Sequence, residues 1–253
     1  LLVSILGNAD LAARELPIGS STRARVEQIA LAATRASELT NQMLAYAGKG
    51  RFVVQRVDLS ALVLEIAQLL ETAVATRARL GYELAPGLPS VVGDPSQIRQ
   101  VVMNLITNAG ESIVNKPGLI TVRTGQTAVS PERLQAANLG AALAPGPYVY
   151  LEVKDTGVGM DAATRGRIFD PFFTTKFTGR GLGLAATLGI VRAHRGAIEL
   201  QSTPGEGTSF RVLFPADPRP AEAAPLPATD PDAWHALGTA LAIDDEPGVL
   251  EVL

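Results

Sequence analysis

Three glycine-rich segments, each beside a short apolar run, constrain the fold of this chain more than any other feature. They are DTGVG at residues 155–159, GRGLG at 179–183 and GEG at 205–207. Glycine lets the backbone turn sharply and come close to another group, so each segment alone predicts only a turn or the start of a helix. Their order is more specific, because it sets three tight backbone segments among predicted strands and helices.

Apolar periodicity predicts a helical hairpin at the start of the chain. Residues 1–16 and 23–47 repeat at helical spacing on either side of a turn at 17–21. The apolar stripe of the second helix suits packing against the first helix, and it suits equally a second copy of the chain. Both interpretations stay open at this stage.

The next part of the chain mixes helices and strands. Asp94 and Pro95 suit the N-cap and the first position of a strong amphipathic helix. Further helices are predicted at 58–79 and 183–193, and strands at 80–84, 119–125, 148–154, 197–201 and 209–214. This mixture predicts an α/β fold of the α+β type, a two-layer sandwich preceded by the α-helical hairpin.

Changes in composition predict the domain boundaries. Residues 216–238 are rich in proline, alanine and acidic residues without periodicity, which predicts a flexible linker. The chain opens inside a helical pattern, so we expect the first helix to begin upstream of Leu1. The expected parts are a partial hairpin at 1–50, the sandwich at 51–215, the linker at 216–238 and the start of a further domain at 239–253.

Charge, cysteine content and hydropathy exclude several classes of function. The net charge of −3 comes from mixed charges without a basic stripe, so nucleic acid is not expected as a partner. The absence of cysteine excludes disulfides and thiolate metal sites. No run of ~18 apolar residues and no signal peptide occurs, so we expect a cytoplasmic segment without direct membrane contact. The motif G-x-x-x-x-G-K-S/T is also absent, which excludes a P-loop nucleotide site.

Two further motifs complete a series. Residues 104–111 read NLITNAGE and residues 169–173 read FDPFF. Together with the three glycine segments, these boxes resemble those of sensor histidine kinases, whose ATP-binding sandwich, the Bergerat fold, is shared with gyrase, Hsp90 and the mismatch-repair ATPases. The resemblance covers residues 94–214 and is specific, because five ordered motifs would have to coincide by chance. It implies an ATP-dependent protein-histidine kinase of a two-component phosphorelay.

Two asparagines carry the expected metal chemistry. Asn104 and Asn108 are four residues apart on one predicted helix, so both amides point from the same face. An amide oxygen is a hard ligand suited to Mg²⁺, and we predict Asn108 as the metal ligand. Glu111 lies about one turn further on, where holding a water of the Mg²⁺ shell and a plain surface role are both open.

The resemblance also implies how ATP is bound. Asp155, at the end of an apolar strand, is expected to accept a hydrogen bond from the exocyclic amine of adenine. Thr208 is expected to contact the adenine through a water molecule. The residues implied to be catalytic are Asn104, Asn108 and Lys176. The ATP contacts implied are Asn108, Asp155, Gly157, Gly159, Phe173, Thr175, Lys176, Arg180, Gly181, Leu182, Gly183 and Thr208.

Residues 169–180 are predicted to form a lid over the nucleotide. The segment is rich in aromatic residues, threonine and glycine, and its cations are Lys176 and Arg180. Either cation could meet phosphate oxygens, and the backbone amides of Gly181 and Gly183 at a helix start offer a second anion site. Members of the family often carry threonine where Arg180 stands, so Arg180 is the less certain contact.

The hairpin also fits the family. Residues 39–47 resemble the second helix of the dimerisation and phosphotransfer domain, which implies a homodimer through the hairpin. The box that carries the phosphoacceptor histidine would precede Leu1. Neither His194 nor His235 matches the phosphoacceptor position, so we expect ATP binding without stable self-labelling.

The last residues suggest a second signalling module. Asp244 and Asp245 follow a predicted buried strand and resemble the acidic pair that holds Mg²⁺ in response-regulator receiver domains. A lone acidic turn would look the same. The receiver interpretation implies a hybrid kinase with a receiver domain as partner, and it leaves open a membrane anchor upstream in the parent protein.

Two other functions remain as alternatives. Another ATPase of the same sandwich would hydrolyse ATP, but its site needs an acidic base near Asn104, and asparagine accepts no proton at neutral pH. A degenerate interaction module would keep the fold and bind no nucleotide. Asn108, Asp155 and the three glycine segments argue against that module.

Overall fold

The structure is a computed structural model, and it divides into two compact units. Leu1–Gln42 belong to one unit, and Met43–Ala223 form the other. The structure describes residues 1–46, 53–74, 78–114, 117–129, 144–176 and 181–221. Outside these ranges lie Arg180, His235, Asp244, Asp245, most of the predicted linker and the predicted strand at 239–243. Among the described residues, no helix combines the length and apolar character needed to cross a membrane.

The predicted hairpin is present. Helix α1 spans Leu2–Glu15 and helix α2 spans Ser21–Tyr46. Ser20 begins the second helix, because its Oγ accepts a hydrogen bond from the backbone N–H of Arg23 at 3.2 Å. Several large apolar side chains of this hairpin are exposed, among them Leu1, Val3, Leu11 and Ile29.

The described residues of the second unit include seven strands, which form a mixed sheet. They are β1 (Gln55–Val57), β2 (Ala78–Leu84), β3 (Ser90–Gly93), β4 (Gly118–Val129), β5 (Gly146–Asp155), β6 (Ala197–Thr203) and β7 (Gly207–Asp217). The order is β1-β3-β7-β5-β4-β2, and β6 also pairs with β7. The β2–β4 pair is parallel, and the pairs β4–β5, β5–β7 and β6–β7 are antiparallel.

Three helices pack against the sheet and build the core. They are α3 (Leu59–Val74), α4 (Pro95–Ser112) and α6 (Gly183–Ala193); a single turn, α5 (Ala162–Arg165), lies between the last two. Fully buried side chains such as Leu105, Leu151 and Phe214 belong to one continuous cluster. Burying a side chain of this size stabilises the fold by roughly 1.5–3 kcal/mol. The α+β sandwich preceded by a hairpin is therefore confirmed.

Helix α4 begins where the sequence predicts, and a buried histidine secures its start. Asp94 caps the helix, because its carboxylate accepts the backbone N–H groups of Ser96 and Gln97. The backbone N–H of Asp94 itself donates to Nε2 of His194 at 3.0 Å, while His194 Nδ1 lies 2.8 Å from the carbonyl oxygen of Ile190. The end of α6 is thereby tied to the start of α4.

Some predicted boundaries were wrong. The helix expected at 58–79 ends at Val74, because Ala78 and Arg79 pair with β4 instead. Strand β3 was not predicted at all. Strand β7 continues to Asp217, so residues 216 and 217, which were expected to open the linker, belong to the sheet.

The sheet face opposite the helices carries a ladder of alternating charges. Neighbouring strands place Glu83 beside Arg123, Arg123 beside Glu152, Glu152 beside Arg211, and Arg211 beside Glu199. Arg211 lies 3.2 Å from Glu152 and 3.9 Å from Glu199, and Arg123 lies 2.6 Å from Glu83. Opposite charges directly across a sheet stabilise the pairing of these strands.

Candidate functional site

The predicted site residues come from four parts of the second unit. Helix α4 supplies Asn104, Asn108 and Glu111 from its second half, and Asp155 ends β5. Thr208 stands opposite Asp155 near the start of β7. The segment before α6 supplies Lys176, whose ammonium reaches α4.

Asn104 ties α4 to α6. Its amide nitrogen donates to the carbonyl oxygen of Gly183 at 3.1 Å and to Oγ1 of Thr187 at 3.3 Å. Thr187 is fully buried, so this contact lies against the core. The bonds give Asn104 a clear positioning role at the start of α6, and its catalytic role stays a prediction.

Asn108 and Glu111 share one cation. The Nζ of Lys176 lies 3.2 Å from Oδ1 of Asn108 and 2.6 Å from Oε2 of Glu111. Two oxygens one helical turn apart are thus brought around a single positive charge. The side chains of Lys176 and Glu111 are 34% and 49% exposed, so solvent reaches the ion pair and weakens it.

Asp155 is a buried carboxylate with several donors. Only 3% of the residue is exposed. Its Oδ1 accepts the backbone N–H of Gly157 at 2.8 Å and the hydroxyl of Ser112 at 3.0 Å. Burial raises the pKa of Asp155, while these two donors, the backbone N–H of Thr208 and the charge of Lys176 act to lower it.

The third glycine segment is joined to the first through hydroxyl groups. Thr208 is buried, and its Oγ1 lies 2.9 Å from Oγ of Ser202. Ser202 Oγ also accepts the backbone N–H of Met160, just after the first glycine segment, at 2.8 Å. Gly159 has φ +66°, and a Cβ there would lie 1.9 Å from the carbonyl oxygen of Thr203. Glycine is therefore required for this close approach.

The predicted lid is described only in part, through residue 176 and again from 181. Phe173 packs against the core, and the guanidinium of Arg167 lies 4.4 Å from its ring centre. Phe172 adopts φ 67°, and its N–H donates to the carbonyl oxygen of Gly181 at 2.9 Å. Thr175 is exposed. The bond from Phe172 joins the first part of the lid to Gly181, two residues before α6.

The helix start after the lid has the form expected for an anion site. Leu182 is buried and precedes Gly183, the first residue of α6. Within the described part of the chain, no side-chain hydrogen bond caps this end of the helix. The first backbone N–H groups of a helix have no partner within it, so this end can accept an anion.

Sequence reasoning missed two side chains at this site. Ser112 contacts Asp155 across a separation of 43 residues, and Ser202 links Thr208 to Met160. No local pattern in the sequence marks either serine, because each acts through a partner that only the fold brings close. The site as a whole has a buried acceptor at one end and oxygens around a cation at the other.

The chain is similar to known proteins over most of its length. Residues 93–218 match the family described as histidine kinase-, DNA gyrase B-, and HSP90-like ATPase. The sensor kinase CckA of Brucella abortus (strain 2308) is 30% identical over 259 residues, which cover 98% of this chain and 27% of that protein. The signal transduction histidine-protein kinase AtoS of Escherichia coli (strain K12) is 32% identical over 185 residues, which cover 72% of this chain and 27% of that protein.

A solved structure shows the same fold. The full-length ShkA in complex with AMPPNP has a TM-score of 0.63 at 24% identity, covering 89% of this chain and 44% of that chain. The present chain spans about a quarter of the length of the two sensor kinases. Through residues 93–218, the chain belongs to the family of histidine kinase-, DNA gyrase B- and HSP90-like ATPases, as an ATP-binding domain of the histidine kinase type.

Proposed function

We propose that this chain binds ATP with Mg²⁺ and that the longer protein transfers the γ-phosphate to a histidine in a two-component phosphorelay. The spacing of two contacts on α4 carries the proposal. Asn108 contacts Lys176, and Ser112, four residues further, contacts Asp155. Four residues rise about 6 Å along a helix. An adenine bound at Asp155 would therefore extend its phosphates toward Asn108 and Lys176.

The oxygens near Lys176 suit a divalent cation. Asn108 and Glu111 already surround the positive charge of Lys176. Amide and carboxylate oxygens, completed by phosphate oxygens and water, form a common Mg²⁺ site in proteins. We propose that Asn108 holds Mg²⁺, with Glu111 binding directly or through water. The metal would neutralise charge on the phosphates during transfer.

The protein's own residues act by positioning the nucleotide. Asp155 accepts a hydrogen bond from the exocyclic amine of adenine. Lys176, once released from Glu111, donates to phosphate oxygens, and the N–H groups at the start of α6 add further donors. Phosphoryl transfer depends on such in-line placement and charge neutralisation, and the lid at 169–180 would exclude water during it.

The acceptor histidine is expected elsewhere in the longer protein. His194 is buried, and its two ring nitrogens contact the N–H of Asp94 and the carbonyl oxygen of Ile190. A ring held on both nitrogens offers none to a phosphate. We therefore propose that this chain binds ATP without stable self-phosphorylation, with neither His194 nor His235 as the acceptor.

Three assignments for the parent protein extend this proposal. The exposed apolar residues of α1 and α2 support a homodimer formed through the hairpin. Asp244 and Asp245 support the start of a receiver domain, and hence a hybrid kinase with a receiver partner. A cytoplasmic location follows from a kinase that draws on cellular ATP.

A hydrolytic ATPase is less consistent with the site. Such an enzyme needs a general base to activate water. The amide of Asn104 donates to Gly183 and Thr187, and an amide is no proton acceptor at neutral pH.

The experiment that tests the proposal is a calorimetric titration of the chain with ATP, with and without Mg²⁺. We expect Asp155→Asn to weaken binding in both conditions, because an amide has one uncharged acceptor oxygen where the carboxylate has two charged ones. Asn108→Ala should remove most of the Mg²⁺ dependence. Glu65→Gln is the matched control, since Glu65 pairs with Arg99 on the exposed side of α3 and α4. Failure of folded wild-type chain to bind ATP would favour the nucleotide-free module.

A further inference from the structure

Ser112 forms a contact that the binding scheme above does not use. It is the last residue of α4, and its Oγ lies 3.0 Å from Oδ1 of Asp155 and 2.8 Å from the carbonyl oxygen of Ala109. A serine hydroxyl has one proton to donate. An ionised carboxylate is the stronger acceptor of the two, so the bond to Asp155 is the charge-assisted one.

One oxygen of the Asp155 carboxylate already accepts two hydrogen bonds. An ionised carboxylate offers about four acceptor positions. The backbone N–H of Gly157 and the hydroxyl of Ser112 both bond to Oδ1. Oδ2 is therefore the oxygen that can accept from a ligand, and its direction is set by the two donors that hold Oδ1.

The first glycine segment is shaped around this contact. A Cβ on Gly157 would lie 1.9 Å from Oγ of Ser112 and 2.8 Å from Oδ1 of Asp155. Only glycine admits the serine at this distance. The backbone N–H of Val158 also donates to the carbonyl oxygen of Ser112 at 3.1 Å. Both the side chain and the backbone of Ser112 thus join the end of α4 to the segment after Asp155.

We propose that Ser112 is a positioning residue that fixes the rotation of the Asp155 carboxylate. It thereby sets the preference of the site for purines with an amine, and not a carbonyl oxygen, at C6. The proposal rests on the proposed function. Held in one rotation, the carboxylate accepts from an amine at C6 of the purine and repels a carbonyl oxygen there. Without Ser112 the carboxylate turns more freely, and it discriminates less between the two.

Protonation of Asp155 provides a second measurable consequence. The hydroxyl of Ser112 lowers the pKa of this buried carboxyl, so its loss raises that pKa further. A protonated carboxyl can donate to a C6 carbonyl. In Ser112→Ala, the preference for the amine should therefore begin to fall at a higher pH than in the wild type.

The test is calorimetric titration of the 253-residue chain with ADP and with inosine diphosphate, which carries a carbonyl in place of the amine. We expect Ser112→Ala to weaken ADP binding about tenfold, the loss typical of one hydrogen bond to a charged group, and inosine diphosphate binding much less. Thr107→Val is the control, because among the described residues the Thr107 hydroxyl bonds only to the backbone oxygens of Met103 and Asn104. In an Asp155→Asn background, Ser112→Ala should have little further effect.

Each outcome decides the proposal. Wild-type binding of ADP together with an unchanged ADP preference in both Ser112→Ala and Ser112→Cys overturns it and leaves the proposed function standing. If the folded wild-type chain does not bind ADP, the role of Ser112 and the proposed function are both contradicted. Ser112→Cys keeps the size of the side chain with a weaker donor, so it decides the question if Ser112→Ala does not fold. A reduced preference that follows pH as described supports the assignment.

Discussion

The ammonium of Lys176 lies 2.6 Å from Oε2 of Glu111, and this ion pair joins the lid segment to helix α4. The same ammonium is 3.2 Å from Oδ1 of Asn108. Lys176 therefore occupies the position between the two oxygens that a metal ion would need. If Mg²⁺ binds at Asn108 and Glu111 as proposed, the lysine would have to leave this position and would then be free to meet the phosphates.

We predict that Glu111→Gln reduces the effect of Mg²⁺ on ADP affinity and leaves stability nearly unchanged. The pair is 34% and 49% exposed, and exposed pairs contribute about 0–1 kcal/mol to folding. Loss of one anionic oxygen should weaken the metal-dependent part of binding several-fold. Calorimetry with and without Mg²⁺ measures the first effect and thermal unfolding the second. An unaltered Mg²⁺ dependence would leave Glu111 a plain surface residue.

We predict that His194 makes the sandwich unit less stable in mild acid. Burial lowers the pKa of His194 below its ordinary value, so the neutral ring is the folded form. The unfolded chain takes up the proton first, at a pKa of about 6.5. The stabilising contribution is complete above that pH and is lost as the pH falls toward the lower pKa of the folded state.

The measurement is the unfolding transition between pH 5 and 8, followed by near-ultraviolet circular dichroism of tyrosine. All four tyrosines lie in the unit Met43–Ala223, so the signal reports that unit. His194→Gln should flatten the pH dependence, whereas His235→Gln should retain it. Equal slopes in the two variants would show that other groups cause the acid sensitivity.

The sequence predicts features of this fold that depend on local signals. Helix α4 was predicted because a cap at Asp94, a proline at the first position and the apolar period all agree. Strand β3 was missed because its four residues hold no pattern of their own and pair with β1 and with the distant end of β7. Helix α3 was predicted too long. Its expected last residues, Ala78 and Arg79, belong to strand β2, because they pair with Gly118 and Leu119 of β4.

Within the site, too, the sequence predicts residues that lie in local motifs and misses contacts between distant residues. Asp155 and Asn108 were predicted as site residues because they lie inside recognisable motifs. The pairing of Lys176 with Glu111 and of Ser112 with Asp155 depends on side chains that the fold brings together across 65 and 43 residues. Spacing in the sequence cannot show such contacts.

We predict that Gly93→Ala destabilises the sandwich unit by about 1–3 kcal/mol, the usual cost of overpacking a buried site. A Cβ at Gly93 would lie 2.2 Å from Cδ2 and 2.6 Å from Nε2 of His194, so the imidazole would have to move and release the N–H of Asp94. Gly81→Ala is the control, since the nearest atom to its added Cβ is a carbonyl oxygen at 4.0 Å. Chemical unfolding followed by tyrosine dichroism compares the two; equal stabilities would contradict the packing argument.

We predict that the ion pair at the centre of the charge ladder, between Glu152 and Arg211, contributes more to the stability of the sheet than the pair at its exposed end. Glu152 is 9% exposed, and it accepts hydrogen bonds from Arg211 at 3.2 Å and from Ser209 at 2.8 Å. Arg211→Met removes the cation that is hydrogen-bonded to this poorly solvated carboxylate and leaves only Arg123 on the neighbouring strand, which should cost about 1–3 kcal/mol. Glu83→Gln, at the exposed end of the ladder, should have little effect on stability, because solvent screens an exposed ion pair.

The double variant Arg211→Met with Glu152→Met separates the loss of attraction from the isolation of a charge. Replacing both partners of a buried ion pair by apolar side chains is often nearly neutral, because the desolvation cost disappears together with the attraction. We therefore expect the double variant to be more stable than Arg211→Met alone in the same unfolding measurement. A double variant as unstable as the sum of the single ones would show that Arg211 stabilises the sheet through Glu199 and the ring of Tyr150, whose centre lies 4.8 Å from the guanidinium carbon.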